Sequence, residues 1–167
     1  MAMTAAAVAL LVPAGLGTAA DTATGDGGAG ARVSAPRIES ALLAEMNRVR
    51  AERGRRPLRT IATLQRPARA QSRYLLGQGI LDHAGRDGSP FWTRLIAAGF
   101  PKGRALGENL AMVPGCGPEV AAQTVRMWLQ SPGHRANLLN PSFRWAGAGA
   151  ASGADCSSTI LTADYGS

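Results

Sequence analysis

The stretch W-L-Q-S-P-G-H-R-A-N-L-L-N-P, residues 128–141, carries the most information about the fold. Ser131 followed by Pro132 is typical of a helix N-cap with proline at the first helical position. This pair predicts a short helical turn that ends near Asn140. The stretch also contains His134, and the whole chain has only two histidines.

Four further helices are predicted before this short turn. On the first, over residues 38–53, apolar side chains recur every three or four positions, at Ile38, Leu42, Met46 and Val49. The other three are predicted from about Pro67 to Leu76, from the cap-and-proline pair Ser89-Pro90 to Gly99, and from Pro118 to the quoted stretch.

After the quoted stretch the pattern changes from helix to strand. Residues 144–151 and 158–165 show the alternation of a half-buried strand, and residues 107–113 are short, mostly apolar and predicted to be extended. Gly147 and Gly149 lie on one face, which indicates that a helix or a ligand approaches the strand closely. The fold class is therefore predicted to be α+β, with helices packed against a small antiparallel sheet.

The chain of 167 residues has 46% hydrophobic and 17% charged residues, which excludes a fully disordered protein. No uninterrupted apolar run reaches the ~18 residues of a membrane-spanning helix, so we expect no integral membrane span. Residues 1–20 are predicted to be an export signal, although a basic start is absent, and residues 21–36 a flexible Gly- and Ala-rich linker. Residues 37–167 then form one domain, which we expect to be secreted and monomeric.

Cys116 and Cys156 are the two cysteines of the chain. Their spacing fits neither a redox pair nor a zinc ribbon. In an exported protein a disulfide is the favoured interpretation, with two separate structural thiols as the alternative.

The net charge of +7 is concentrated in residues 37–73, which contain ten Arg and three Glu. One interpretation is an electropositive surface for an anionic polymer of the cell envelope, a lipid surface or a nucleic acid. The other, which we favour, is a solvated helix face. No aromatic residues interleave the arginines between Arg48 and Arg69, so a single-stranded nucleic acid is not expected as a partner.

The common catalytic motifs are absent from the sequence. It has no H-E-x-x-H, no G-x-S-x-G, no P-loop and no complete dinucleotide fingerprint, which excludes the corresponding enzyme classes. The polar residues that stand out are His83, Glu108 and His134. Two imidazoles and a carboxylate can hold a divalent cation or act as an acid–base set, whereas the simpler interpretation is that they are hydrogen-bonded struts.

Four blocks in order give the sequence a specific resemblance. They are L-x-x-M-N-x-V-R-x-x-x-G (43–54), D-H-x-G-x-D-G-S-P-F (82–91), G-E-N (107–109) and the quoted stretch. Together they resemble the bacterial branch of the CAP superfamily, which includes cysteine-rich secretory proteins, insect venom antigens and plant pathogenesis-related proteins. The resemblance implies an α-β-α sandwich with a central antiparallel sheet and a large cleft.

In that superfamily two histidines and two acidic residues line the cleft and bind a divalent metal in some members. The resemblance places His83, Glu108 and His134 at three of these positions, and it makes Glu108 and His134 the candidates for any catalytic role. The fourth position is Ser131, so the set lacks one carboxylate. This loss makes zinc, which tolerates imidazole ligands, the expected ion.

Three further residues are predicted to line the cleft. Asn109 and Asn137 either orient cleft groups or make ordinary loop hydrogen bonds. Arg135 either clamps an anionic ligand or pairs with an acidic side chain. For Ser131, a catalytic role is disfavoured, because its capping position already explains it.

Two functions are compatible with these residues. The first, which we favour, is a secreted, non-enzymatic module that captures a lipid, a glycan or a partner protein in the cleft. The second is a zinc-assisted hydrolase of peptide or cell-wall substrates that uses His83, Glu108 and His134. A fold alone does not decide between them.

Overall fold

The computed structural model describes residues 34–167. The predicted export signal and the predicted linker up to residue 33 lie outside the described residues. The first helix begins at Ala35, so the last two positions of the predicted linker belong to a helix instead.

Within residues 34–167, five helices and four strands follow one another. In chain order they are α1 (Ala35–Glu52), β1 (Arg59–Thr60), α2 (Ala62–Gln78), α3 (Phe91–Ala97), β2 (Leu106–Val113), α4 (Glu119–Gln130), α5 (Pro132–Leu138), β3 (Trp145–Ser152) and β4 (Thr159–Gly166). None of these helices is long and apolar enough to cross a membrane.

The strands form one sheet in the order β1-β3-β4-β2. Strands β3, β4 and β2 pair antiparallel, as predicted. The pairings extend over eight residues each, and every strand begins one residue away from its predicted start. The two-residue strand β1, which the sequence does not predict, pairs parallel to β3 at the edge. The predicted α+β class is confirmed.

The two faces of the sheet follow from the alternation of side chains along each strand. Ala146, Ala148 and Ala150 of β3 join the main core, which also contains the buried stripe of α1 and the inward side of α4. The glycines between them face α2 on the opposite side. A Cβ on Gly147 would lie 2.1 Å from the backbone carbon of Leu64, so only glycine permits this approach. The result is a helix–sheet–helix sandwich.

Helix α2 begins five residues before the predicted start at Pro67. Pro67 lies inside the helix and is buried there, although its ring cannot donate to the carbonyl of residue 63. The close packing of the α2 backbone on the glycines of β3 compensates for this missing bond, and a local rule for proline does not include such packing. The helix ends at Gln78, two residues beyond the predicted Leu76, and its C-cap Gly79 has the left-handed conformation.

The N-caps of two short helices were predicted from Ser-Pro pairs. Helix α3 begins at Phe91 with Pro90 as its N-cap, one residue later than the predicted cap at Ser89. Helix α5 begins at Pro132 with Ser131 as its N-cap, as predicted.

Cys116 and Cys156 form a disulfide with their Cα atoms 5.1 Å apart, which confirms the predicted pairing and joins the β2–α4 connection to the β3–β4 turn.

Candidate functional site

Glu108 lies on the edge strand β2, and its side chain is fully buried. One carboxylate oxygen, Oε1, lies 2.7 Å from Nδ1 of His83 in the loop before α3. The other, Oε2, accepts a hydrogen bond from the Nη2 group of Arg94. The carboxylate therefore has a cation and an imidazole as direct partners, as a buried acid requires.

Arg94, which the sequence does not single out, connects the parts of this site. It projects from α3, and its Nη1 group donates to the backbone carbonyl of His83 at 2.9 Å. The same guanidinium thus fixes both the carboxylate of Glu108 and the loop that carries its imidazole partner. A carboxylate among apolar residues calls for a hydrogen-bond donor or a cation, but the sequence does not indicate which of the chain's 17 arginines lies beside it.

Asp164 is a second buried acid that the sequence does not single out. It lies directly across from Glu108 in the β2–β4 register and is completely buried. Burial raises the pKa of Asp164 well above its usual range, and the nearby charge of Glu108 raises it further, while Arg94 acts in the opposite direction. The fold therefore favours the protonated, uncharged form of Asp164 beside Glu108.

Glu108 and His83 border a cavity of about 540 Å³. Its polar floor consists of His83, Glu108 and Asn137, and its apolar rim includes Phe91 and Trp92. The two aromatic rings meet edge to face with centroids 5.3 Å apart, and Trp92 remains 42% exposed. A cavity of this size with a few polar groups is typical of a small-molecule or oligomer site.

His134 lies on α5 and opens on a different cavity, of about 480 Å³. Its neighbours there include Trp128, whose ring centroid is 6.5 Å from that of His134, and Ser131. Leu110 and Met112, which follow Glu108 on the same face of β2, line this second cavity, so the two cavities lie at different positions along the edge strand. Glu108 faces the α2 and α3 side of the sheet, whereas its neighbour Asn109 faces the other side, where it contacts the backbone of His134.

The two asparagines hold the floor of the cleft together. The Nδ2 group of Asn137 donates to the carbonyl of Glu108 at 3.1 Å and to Oδ1 of Asn109 at 3.0 Å. Asn109 in turn donates to the carbonyl of His134 at 3.0 Å and to the Tyr165 hydroxyl at 3.3 Å. Asn109 is completely buried, so it orients the two strands and α5, whereas Asn137 also lines the first cavity.

Arg135 does not line either of these two cavities. It is exposed, and its Nη1 group donates to the carbonyl of Leu129 at 3.2 Å. Among residues 34–167 it forms no ion pair, so the structure does not show the acidic partner that was one of its two interpretations. The carbonyl of Leu129 is the acceptor instead of a carboxylate, because the last carbonyls of α4 have no hydrogen-bond partner within the helix.

The donors of the predicted zinc set do not fit one ion in this arrangement. Across the described residues, no three His, Cys, Asp or Glu side chains lie close enough to hold a metal. Nδ1 of His83 and both oxygens of Glu108 already have protein partners, and His134 faces another cavity. The guanidinium of Arg94 supplies the positive charge beside Glu108 that a cation would otherwise supply.

The helix–sheet–helix sandwich and the His83–Glu108 pair beside the first cavity are the features of one class of protein, the small cysteine-rich secretory domains. The chain belongs to the CAP, or cysteine-rich secretory protein, family, whose sequence pattern it matches over residues 43–165. This match confirms the resemblance seen in the four sequence blocks.

Individual relatives agree with this assignment. The uncharacterized protein YkwD of Bacillus subtilis is 35% identical over 104 residues, and the match spans 62% of this chain but only 38% of that protein. An outer surface protein of Borrelia burgdorferi superposes with a TM-score of 0.69 at 19% identity, covering 80% of this chain and 95% of that one.

A third relative is an extracellular protein from Bacillus anthracis that contains an SCP domain. It superposes with a TM-score of 0.66 at 22% identity, covering 78% of this chain and 40% of that one. At these identities the two solved structures establish the shared fold. Both are described as extracellular or outer surface proteins.

Proposed function

We propose that this protein is a secreted binding module that holds a glycan in the cavity between Glu108 and Trp92. The observation that carries the proposal is the exposed indole of Trp92 beside a polar floor. Sugar rings offer both an apolar face that packs on an aromatic ring and hydroxyls that bond to polar side chains. A cavity with one aromatic wall and a polar floor complements both.

The polar floor favours a glycan over a lipid. An acyl chain in this cavity would cover the polar groups of His83 and Asn137 without offering them hydrogen bonds, and desolvation without compensation is costly. A sugar hydroxyl can replace water at the same groups. His83 and Asn137 line the cavity and are both partly exposed, so a ligand can reach them.

The same geometry disfavours the hydrolase. Glycoside hydrolysis usually requires two carboxyl groups on either side of the scissile bond. Here Asp164 is completely buried and does not line the cavity, so Glu108 is the one acidic group among the described lining residues. The expected partner His134 lies on the other cavity, so the proposed acid–base set is not assembled around a common substrate position.

The test is a binding experiment with a matched control. Wild-type protein, Trp92→Ala and Ile80→Ala are titrated with a peptidoglycan disaccharide-peptide by calorimetry, and their retention on insoluble peptidoglycan is measured. Ile80 is the right control because it is 57% exposed and lies outside the cavity. Loss of one aromatic stacking contact should weaken binding about tenfold, whereas Ile80→Ala should bind like the wild type.

Two results would contradict the proposal. Equal binding by Trp92→Ala and wild type would exclude the aromatic wall as the recognition element. The second result is hydrolysis of peptidoglycan, seen as new reducing ends or amino groups. If Glu108→Gln abolishes this release while the protein remains folded, the hydrolase is correct instead.

A further inference from the structure

A third cavity, of about 320 Å³, lies away from the cleft at the β1 edge of the sheet. Its lining is Arg56, Pro57, Arg59, Arg144 and Trp145. The three arginines are exposed, and they come from two distant parts of the chain that the parallel pairing of β1 with β3 brings together. The cavity thus depends on the one strand pairing that the sequence did not predict.

These three arginines differ from others in the same basic segment. Arg48 pairs with Glu45 and Glu52, and Arg69 pairs with Glu39. Arg56, Arg59 and Arg144, by contrast, form no ion pair within residues 34–167, and their guanidinium groups donate no hydrogen bond there. Three positive charges therefore line one small cavity without a carboxylate to neutralise them.

A fourth positive charge lies beneath this surface. Arg50 is completely buried, and it donates to the backbone carbonyls of Arg56, Leu138, Asn140 and Phe143 at distances of 2.8, 2.7, 3.1 and 3.3 Å. Among the described residues, no carboxylate accepts from it. Burial lowers the pKa of Arg50, Tyr165 acts in the opposite direction, and the charges of Arg55 and Arg144 lower it further.

The backbone holds two of the lining residues in place. The N–H of Arg59 donates to the carbonyl of Arg144 at 3.0 Å, and the N–H of Arg144 donates to the carbonyl of Gly166 at 2.9 Å. The guanidinium groups of Arg59 and Arg144 therefore extend from fixed positions on the sheet. Placing positive groups before a ligand arrives reduces the entropic cost of binding it.

We propose that this cavity binds a phosphodiester group of a non-nucleic-acid polymer. A phosphodiester offers the guanidinium groups two non-bridging oxygens for bidentate hydrogen bonds, and a polymer repeats that negative charge along its length. Pro57 and Trp145 give the cavity apolar walls, which the organic substituents of a diester can contact and inorganic phosphate cannot.

A nucleic acid fits the cavity less well than another polymer of this kind. Binding of a single strand without sequence preference relies on a series of aromatic side chains that stack successive bases. This cavity has one indole, and Trp145 is partly buried because it also packs against the cluster around Leu64 and Phe91. Its size and its single indole suit one diester group and its substituents.

The proposal is tested with an oligomer of poly(glycerol phosphate) as the probe. The wild type is compared by calorimetry with the double variant Arg59→Gln/Arg144→Gln and with Arg126→Gln, an exposed arginine on α4 that lies outside the cavity. Circular dichroism and the melting temperature establish that each variant is folded. The double variant should bind at least about thirtyfold more weakly, because two charge-assisted contacts are lost. Arg126→Gln should bind like the wild type.

Further arms identify the ligand and separate this site from the cleft. Inorganic phosphate should bind at least about tenfold more weakly than the diester oligomer, and affinity for the oligomer should fall as the salt concentration rises from about 50 to about 200 mM. Trp92→Ala, which tests the glycan cavity, should leave this binding unchanged, so either proposal can fail alone. Equal affinity for inorganic phosphate, equal or tighter binding of single-stranded DNA with the same number of phosphates, or unaltered binding by the double variant would each overturn the proposal.

Discussion

The substitution Asp164→Asn tests whether the acid behind Glu108 is protonated in the folded protein. Burial and the charge of Glu108 raise the pKa of Asp164, so folding favours the protonated form. Below the pKa that this acid has in the unfolded chain, both states carry the proton, so the acid does not lower the free energy of unfolding. As the pH rises above that value, the unfolded state releases the proton and the folded state keeps it, so wild-type stability falls. Asparagine has the same shape and cannot ionise.

The size of the effect follows from proton linkage. An aspartate in an unfolded chain has a pKa of about 3.9. Above this value the wild type loses about 1.4 kcal/mol of unfolding free energy per pH unit for as long as Asp164 keeps its proton in the fold. Between about pH 4 and pH 7 the loss relative to Asp164→Asn can therefore approach about 4 kcal/mol. At about pH 4 the two proteins should be close in stability.

The assay is urea unfolding at several pH values for the wild type, Asp164→Asn and Asp155→Asn. Asp155 lies in the exposed β3–β4 turn, where an asparagine can still accept the hydrogen bond from the backbone of Ser157. The control should therefore run parallel to the wild type, and the difference between wild type and Asp164→Asn should grow with pH. A constant difference across the pH range, or a variant that is less stable at neutral pH, would refute a neutral Asp164.

The remaining predictions concern the close packing of the sheet and the disulfide. Gly147→Ala should lower the free energy of unfolding by at least about 3 kcal/mol, because a Cβ there meets the α2 backbone at 2.1 Å; Gly77→Ala, in α2 with nothing within 4 Å, should instead stabilise the protein by about 0.5–1 kcal/mol in the same urea titration. The pair Cys116→Ser/Cys156→Ser opens a link across a sequence separation of 40 residues and should cost about 4 kcal/mol, seen as a lower melting temperature in calorimetry. A Gly147→Ala protein as stable as the wild type, or a serine pair with an unchanged melting temperature, would contradict the respective argument.

Local patterns predicted most of the helices and the three long strands. The apolar stripe of α1 and the cap-and-proline pair at Ser131 are determined by neighbouring residues, so the sequence is sufficient to locate them. The start of α2 and the strand β1 depend instead on contacts with β3, which lies far away along the chain. Local rules do not include such contacts.

The sequence predicted only part of the candidate site, because some of its residues are determined by contacts between distant parts of the chain. His83 and Glu108 stand out because histidines are rare in this chain and because Glu108 lies among apolar residues. Asp164 has the same chemistry, but within an alternating strand it looks like an ordinary solvent-facing residue. Its burial arises only because α2 covers that face of the sheet. Likewise, His83 and His134 line cavities at different positions along β2, and no local pattern specifies those positions.

The order of strands has a consequence for how this domain is made. Strand β4 pairs on one side with β3 and on the other with β2, so the sheet is completed from its middle by residues 159–166. A ribosome or an export channel delivers these residues after every other described element. Until they arrive, β2 has no neighbour in the described sheet and Glu108 lies opposite no partner strand. Chains that end before residue 159 should therefore lack the antiparallel part of the sheet, and the cleft around Glu108 is completed in one late step of folding.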